Sequence, residues 1–529
     1  LSGAVVAGGS SPDGDAFTGN TLNKNSDAAV HIARNFASVN FGYSGNANIG
    51  ELDSTPTGSA LSGVTVNTNA NNVSFDGVIS GSGSITKTGA GTLILSGTNT
   101  YSGGTTISAG TLSIGSDTNI GSGTNTIGNK GTLLLSGNGT YTNDWTLSGA
   151  GSAIATDNNN TLSGVLSGNG GLTKTGAGTL TLTGNNTYAG GTAINDGTLK
   201  GNIASGTDLS IADSATYDGD NKARSVGGLN GGGKILNTDG LTVQSGDFAG
   251  FIDNSNTSLT KTGAGTLTLS GTNTYTGMTT VRSGTLALGS DLTSNQLTLY
   301  GGTVFDRGSH NHNLDNGILS VNGANSQSAM YKGDLSARNA TLNFISPVHP
   351  TQPLLRVTGD TDVSGSAYNV GLSGGTSLAA GSTLTLLEVG AGKMLTANNL
   401  RKGGGIVQIG STVAHDITTD VALDPTTGRL NAVTAQVSPG RATDQSKALS
   451  EGFLGGLALN LQGADLVAGR GMDSAVRASS GTDDAERHGF AGFGALAGGS
   501  LRYNTGSHLD MNSLSLLTGL AWGIDLAPG

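Results

Sequence analysis

The chain has 529 residues, with 91 glycines, 8 prolines, no cysteine and a formal net charge of −11. Charged residues make up 12% of the sequence, about half of the quarter that is usual in globular proteins. An acidic chain lacks the basic face of a nucleic-acid-binding protein, and the absence of cysteine excludes disulfide frameworks, Cys-ligated zinc and thiol catalysis. No apolar run is long enough for a transmembrane helix. Abundant glycine, threonine, serine and asparagine favour short strands and many turns.

An internal repeat is the strongest feature of the sequence. Three similar segments occupy residues 85–111, 172–198 and 259–285, and each begins with Ile or Leu followed by Thr-Lys-Thr-Gly-Ala-Gly-Thr-Leu. Equivalent positions are 87 and again 87 residues apart. Two equal intervals argue against a chance similarity of low-complexity sequence. The repeated lysines and tyrosines are Lys87, Lys174, Lys261, Tyr101, Tyr188 and Tyr275.

A shorter period inside each repeat predicts the fold. Gly-Thr-Leu recurs about every 20 residues, and a quarter of the repeat is about 22 residues, the length of one turn of a three-sided parallel β-solenoid. Alternating runs such as Thr92–Leu95 and Thr105–Ile107 supply strands whose apolar residues point inward. We therefore predict an all-β, right-handed parallel β-helix in which Leu93, Leu180 and Leu267 are buried.

The string GAGTLxLxGxNTYxGGT connects the repeats to a known family. It occupies residues 89–105, 176–192 and 263–279, with Met278 in place of a glycine in the third copy. The string resembles the passenger-associated transport repeat of bacterial autotransporters, which use type V secretion. The resemblance implies a pertactin-like passenger of a Gram-negative bacterium, carried across the outer membrane and exposed at the cell surface.

Changes in composition and residue pattern divide the chain into five predicted segments. Looser glycine-rich coils precede the repeats, and a stretch with clustered prolines follows them. This later stretch resembles the end of autotransporter passengers that caps the solenoid and acts as an autochaperone. The predicted segments are 1–74 for N-terminal coils, 75–290 for the repeats, 291–435 for the cap, 436–487 for a linker with an α-helix, and 488–529 for the first two strands of a translocator barrel.

The last two segments rest on patterns of their own. Leu449, Phe453, Leu457 and Leu461 have helical spacing and predict a helix at residues 441–470. Two long alternating runs follow at residues 488–525, as is typical of transmembrane barrel strands. Both patterns resemble the linker and the first strands of the autotransporter translocator. Two strands cannot close a barrel. The resemblance implies that the assembly machinery of the outer membrane acts on the complete barrel.

Residues that could carry chemistry are few and scattered. Gly228–Lys234 is similar to a phosphate-binding loop but lacks its Ser or Thr, which favours a glycine-rich turn. His310 and His312 could form a weak metal pair or belong to a solvated loop. The charged cluster at residues 218–224 could serve catalysis or calcium binding, or form an exposed loop. We expect no enzymatic activity, no metal and no cofactor.

Two functions fit the sequence. The first is an adhesin or autoaggregation stalk, surface-exposed or secreted, whose own C-terminal barrel translocates it. Its partners would be host surface glycans, matrix proteins or a second copy of the chain, and not nucleic acid. The alternative is a non-catalytic stalk and transport module for an upstream protease or esterase domain. The six repeated lysines and tyrosines are the candidate site, either as a surface ladder for such partners or as edge-protecting lysines and corner-packing tyrosines.

Overall fold

A computed structural model describes residues 83–402 apart from 254–256, 324–326, 347–351 and 374–382, with shorter pieces between 38 and 80 and strands between 408 and 522. Within the described residues, the chain forms an all-β parallel solenoid with almost no helix. The predicted fold class is confirmed to this extent, and the right-handed sense of the solenoid stays a prediction.

Each coil passes through three parallel sheets, which we name A, B and C in chain order. In one coil, Trp145–Leu147 lies in A, Ala153–Ala155 in B and Asn160–Leu162 in C, and Leu166–Ser167 then returns to A beside the strand that began the coil. Turns rich in glycine and asparagine separate the strands, because these residues adopt the left-handed conformation that a tight corner requires.

The strands have the following bounds. Sheet A contains Ser38–Asn40, Gly63–Asn67, Ser84–Thr88, Trp145–Leu147, Leu166–Ser167, Ser258–Lys261, Thr279–Val281, Gln296–Tyr300, Ile318–Asn322, Thr341–Ser346, Ala367–Ser373 and Arg401–Lys402. Four strands run round the corner from A into B: Thr105–Ile114, Asn125–Leu135, Arg224–Gly231 and Gly240–Phe248.

Sheets B and C complete the three sides of the solenoid. Sheet B contains Ala47–Ile49, Val73–Phe75, Thr92–Leu95, Ala153–Ala155, Leu172–Thr175, Thr192–Ile194, Leu209–Ile211, Thr266–Leu269, Thr285–Leu288, Val304–Asp306, Ala329–Lys332, Leu355–Val357 and Thr383–Val389. Sheet C contains Leu52–Asp53, Ile79–Ser80, Thr140–Tyr141, Asn160–Leu162, Thr179–Leu182, Thr198–Gly201, Thr216–Asp218, Lys234–Leu236, Phe251–Ile252, Leu335–Ser336, Thr361–Asp362 and Leu395–Thr396.

The core consists of columns of inward residues, one residue from each coil. In sheet B, Leu93 stacks in register on Leu112, which stacks on Leu133. Leu93, Leu180 and Leu267 are each 0% exposed, so their predicted burial is confirmed. Burying a leucine contributes about 2 kcal/mol of hydrophobic stabilisation.

The copies of the repeat do not share one phase around the solenoid. Leu93 of the first copy and Leu267 of the third lie in sheet B, and nine successive strand pairings join their strands. One coil between them therefore takes about 19 residues rather than the predicted length of about 22. The equivalent Leu180 of the second copy lies in sheet C, where it pairs with Leu199. The second copy is thus turned by one face relative to the other two.

The coils lengthen beyond the repeats. Ala329 pairs with Leu355, and Leu355 pairs with Leu387, so each of these coils is longer than those that join Leu93 to Leu267. Strand Leu430–Val437 then pairs antiparallel with Thr383–Val389 and covers an edge that would otherwise be open. An autochaperone role for residues 291–435 stays a prediction. Cross-coil ion pairs in this part join Arg307 to Asp334, Lys332 to Asp306, Arg338 to Asp315 and Arg356 to Glu388.

The chain divides into two compact units, the first comprising residues 1–371, 383–404 and 418–436. In the second, Phe490–Tyr503 and Leu509–Trp522 pair antiparallel over their whole length. Their assignment to a translocator stays a prediction. Of the range 441–470, which was predicted to be a helix, the structure describes only the short strand Arg441–Ala442. The rest of that prediction lies outside the described residues. The other elements among the described residues are the strands Gln408–Ile409, Val413–Ala414 and Ile417–Leu423 and a 3-10 turn at Asp117–Asn119.

No helix in the described part of the chain has the length and hydropathy needed to cross a membrane.

Candidate functional site

The repeated lysines lie inside the solenoid, at positions where neighbouring coils have aliphatic residues. All three are 0% exposed. In the column of each lysine, the residues before and after it are isoleucine or valine, so the four-carbon stem packs as an aliphatic side chain would. The three columns are Val66–Lys87–Ile107, Ile154–Lys174–Ile194 and Val243–Lys261–Val281.

The ammonium group of Lys174 reaches the corner that follows its strand. Its Nζ donates to the carbonyl oxygens of Thr175 at 3.0 Å and Gly176 at 2.6 Å in its own coil. It also donates to the carbonyl of Asp196, in the stacked corner of the next coil, at 3.1 Å. The Thr175 carbonyl in turn accepts the N–H of Thr156 from the preceding coil. The side chain therefore joins two successive coils directly, and the Thr175 carbonyl that it shares with Thr156 connects them to the preceding coil.

The other two lysines repeat this geometry. Lys87 donates to the carbonyls of Thr88, Gly89 and Ala109 at 2.9, 2.8 and 3.0 Å. Lys261 donates to those of Thr262, Gly263 and Ser283 at 2.5, 2.8 and 3.1 Å. We call each of these lysines with its three carbonyl acceptors an ammonium cage.

The charge state of the cages follows from their burial. Burial lowers the pKa of Lys87 and Lys174 to about 8 and also lowers the pKa of Lys261. For Lys174 the carboxylates of Asp196 and Asp157 act in the opposite direction. An amine with a pKa of about 8 still carries its proton at pH 7, so three N–H donors meet three acceptors. A buried ammonium without such partners would be strongly destabilising.

Glycine at the stacked corner allows the cage to form. Gly197, which follows Asp196, has a φ of +63°, and a Cβ added there would lie 2.5 Å from the carbonyl oxygens of Gly176 and Gly178. Gly206 provides a matched control, because its φ is +78° but an added Cβ would meet nothing within 4 Å. Both positions therefore carry the left-handed backbone penalty, and only Gly197 adds a steric one.

We expect Gly197→Ala to lower the free energy of unfolding by about 1–2 kcal/mol more than Gly206→Ala. Urea denaturation of the two variants and the parent chain measures this difference. An equal decrease in the free energy of unfolding of the two variants would show that steric crowding at the cage corner does not affect stability.

Each repeat also places an asparagine between coils. Asn99 accepts the N–H of Ile79 from the preceding coil at 2.7 Å through Oδ1, and its Nδ2 donates to the carbonyl of Asn119 in the next coil at 2.5 Å. The Oδ1 atoms of Asn186 and Asn273 likewise accept a backbone N–H of the preceding coil. These amides satisfy backbone groups where the chain turns between sheets.

The repeated tyrosines are buried at the corners that hold these asparagines, and each follows its asparagine by two residues. Tyr101, Tyr188 and Tyr275 are at most 1% exposed. Each hydroxyl is hydrogen-bonded to the threonine four residues later, Thr105, Thr192 or Thr279, at 2.5, 2.6 and 3.0 Å. Burial raises the pKa of all three phenols, so they stay neutral.

The expected surface ladder of lysines and tyrosines is therefore wrong, as is the alternative of lysines at exposed edges. A ladder that contacts sugars or proteins needs accessible side chains, and all six point into the solenoid. Packing of the tyrosines at corners, the other interpretation, agrees with the structure. The alternation of the strand contained the missing signal, because Lys87 stands two residues after the inward Ile85 and so faces the same way.

The other candidate residues have structural roles in the described part of the chain. Lys200 forms an ion pair with Asp220 at 3.1 Å, and Arg224 donates to the Gly219 carbonyl and to Asn202. Gly228–Lys234 contains the turn between strands Arg224–Gly231 and Lys234–Leu236, in agreement with its interpretation as a glycine-rich turn.

The two histidines do not form a metal pair. His310 lies near the carboxylate of Asp291, whereas His312 is buried. No group of three or more His, Cys, Asp or Glu suited to a metal ion occurs among the described residues.

Comparison with known proteins identifies the repeat. The family model of the passenger-associated-transport-repeat matches residues 85–114, 172–200 and 259–288, the segments that hold the ammonium cages. No curated protein and no solved structure matches the chain. The three repeats and the parallel solenoid together fit the passenger of a bacterial autotransporter.

Proposed function

We propose that this chain is a non-enzymatic passenger stalk that acts in adhesion or autoaggregation at the surface of a Gram-negative bacterium. The repeat family implies secretion to the outer membrane or the cell surface. The observation that supports a stalk best is the inward direction of the repeated polar residues. Lys174, Asn186 and Tyr188 all bond within or between coils, so the repeats serve the continuity of the solenoid.

A solenoid whose outward strand positions are rich in threonine offers hydroxyl groups for many weak contacts. Outward threonines recur in many of the strands, and multivalency turns weak contacts into stable cell attachment. The partners would be host surface glycans, matrix proteins or a second copy of the chain. Translocation would use the protein's own C-terminal domain.

The experiment is display of this passenger, joined to a complete translocator, on a non-adherent Gram-negative cell. We expect protease added outside intact cells to remove the passenger, and the cells to aggregate or to bind host cells. Surface exposure without aggregation or binding would contradict the adhesive role and favour a stalk for another domain. Retention in the periplasm beside an inserted translocator would contradict the passenger assignment.

A further inference from the structure

A groove of about 450 Å³ lies on the outside of the solenoid where the chain enters sheet C, in the longer coils after the repeats. Small-ligand sites usually have volumes of about 300–1,000 Å³, so this groove has room for one. One row of its lining follows the corner before sheet C. The row takes one residue from each of three coils, Asp334, Asp360 and Met394. We call this cavity the sheet C groove.

A second row of the lining lies on the outer face of sheet C. Each of four successive coils contributes one residue, and register stacks them in the order Asn313, Ser336, Asp362 and Thr396. Leu335, which stands between the two rows, is 2% exposed, so alternation along the strand turns both rows outward. Neighbouring coils are about 4.8 Å apart, which makes the second row about 14 Å long.

Hydrogen bonds hold two carboxylates of the groove in fixed orientations. Asp360 Oδ1 accepts the Met394 N–H of the next coil at 2.9 Å. Asp362 Oδ1 accepts the N–H and the hydroxyl of Ser364 at 3.0 and 2.6 Å. Within the described residues, no group donates to Oδ2 of either side chain. Each carboxylate therefore presents one preorganised acceptor to a ligand.

Charge restricts the kind of ligand that the groove can bind. Arg307 also lines the groove, and its guanidinium pairs with Asp334 at 2.9 Å, so these two charges offset each other. Asp360 and Asp362 form no ion pair with the residues that the structure describes. The groove is consequently negative and repels carboxylated or sulfated sugars. The two carboxylates also belong to no described group of three or more side chains suited to a metal ion.

The other groups of the groove favour a sugar over a basic peptide. Asn313 uses Oδ1 to accept the Asp315 N–H at 2.7 Å, which leaves its amide donors for a ligand. Met394 is 57% exposed and adds an apolar surface beside the acceptors. A sugar ring offers hydroxyls that donate and accept, together with C–H groups that pack on apolar atoms. A cationic side chain would satisfy the carboxylates but could not accept from Asn313.

We propose that the sheet C groove binds a short neutral oligosaccharide. Sugar hydroxyls donate to Asp360 and Asp362, other hydroxyls bond to Asn313 and Thr396, and a ring face packs on Met394. This inference rests on the proposed function, because it assigns a binding site and a chemical class to the glycan partner. Asp360 and Met394 are exposed to water, so one groove binds weakly and many copies on a cell supply avidity.

The test is binding of the purified chain, clustered on beads, to a printed array of oligosaccharides. The array carries neutral members built from glucose, galactose, mannose and N-acetylhexosamines, and sialylated and sulfated members. We expect neutral members to bind and anionic members to bind more weakly. Absence of binding to every neutral member, or binding of anionic members alone, would overturn the proposal.

A matched pair of variants tests whether the groove is the site. The double variant Asp360→Asn, Asp362→Asn keeps both Oδ1 atoms for the backbone N–H groups and replaces both free oxygens by amide donors. It should lower binding by about tenfold, equivalent to about 1.4 kcal/mol. Asp208→Asn is the control, because Asp208 likewise accepts the N–H of the next coil through Oδ1 but lies outside the groove.

The double variant should also separate a sugar site from a cation site. Titration of the parent chain with calcium alone and with a tetralysine peptide should show no binding that the double variant loses. Calcium or tetralysine binding that depends on the two carboxylates, without binding of any neutral oligosaccharide, would overturn the proposal. Unchanged oligosaccharide binding by the double variant would also overturn it.

The array distinguishes failure of this inference from failure of the proposed function, because it needs no export. Oligosaccharide binding by the purified chain, with no adhesion of displaying cells, would contradict the adhesive role and leave the groove as a sugar site. Adhesion of displaying cells that the double variant retains in full, with no array binding, would leave the adhesive role and contradict the groove.

Discussion

Replacing Lys174 by methionine is expected to lower the free energy of unfolding by about 3 kcal/mol, although the stem packs as before. The methionine fills the place between Ile154 and Ile194 but offers no donor to the three carbonyls of the cage. An unsatisfied buried acceptor costs about 1–3 kcal/mol. Removing the buried charge recovers part of that loss, and the Thr175 carbonyl keeps the N–H of Thr156, which is why the total stays below the sum of three acceptors.

The same substitution at an exposed lysine provides the control. Lys234 stands at an outward position of sheet C, and Lys234→Met should change stability by less than about 0.5 kcal/mol. Urea denaturation gives the overall change, and hydrogen exchange shows whether protection is lost around residues 154–196 rather than throughout the chain. Unchanged or increased stability of Lys174→Met would mean that the corner carbonyls do not need the ammonium.

Acidification from pH 6.5 to pH 4 is expected to cost the solenoid about 3 kcal/mol through His312. This residue is 4% exposed. Its Nε2–H donates to the Ser294 carbonyl at 3.1 Å, and its Nδ1 accepts the Tyr331 hydroxyl at 3.2 Å, so the ring is held neutral. Burial, with a smaller effect of Arg307, lowers the pKa of His312 to about 4, against the raising effect of the Ser294 hydrogen bond.

The direction of this pH dependence follows from proton uptake. Between pH 6.5 and pH 4 the unfolded chain binds a proton at His312 and the folded chain does not, so the stability present above pH 6.5 is lost as the pH falls through this range. Unfolding free energies at several pH values measure the slope for the parent chain and for His312→Gln. Gln is neutral and keeps both a donor and an acceptor.

We expect His312→Gln to show a slope smaller by the histidine contribution, because all carboxylates are common to both chains. Equal slopes for the parent and His312→Gln would show that His312 does not resist protonation.

The sequence was sufficient to predict the columns of the core. Alternation of apolar residues identified Leu93 and Leu180 as inward, and the recurrence of Gly-Thr-Leu identified stacked coils. Both are local patterns that a parallel solenoid repeats in every coil. The direction of Lys87 was available from the same alternation, but a lysine is rarely buried, and its acceptors are backbone carbonyls that have no mark in a sequence.

The phase of the repeats could not be predicted from their spacing. Coil length varies locally. For example, fewer residues separate Thr192 from its partner Leu209 than separate Trp145 from its partner Leu166. Two equal intervals along the sequence can therefore contain different numbers of sheet crossings. The second copy consequently has its lysine in sheet B, whereas the first and third have theirs in sheet A. A cage needs only two stacked corners, and both the corner after sheet A and the corner after sheet B provide them.

Reactivity of individual lysines towards an amine-acetylating reagent tests the ammonium cages most directly. In the folded chain at neutral pH, peptide mass spectrometry should show rapid acetylation of the exposed Lys130, Lys222 and Lys234. The repeated lysines, Lys87, Lys174 and Lys261, should react at least a hundredfold more slowly and reach the same rate only when the chain is unfolded in denaturant. Acetylation of these three lysines in the folded chain as fast as that of Lys130 would contradict the existence of the cages.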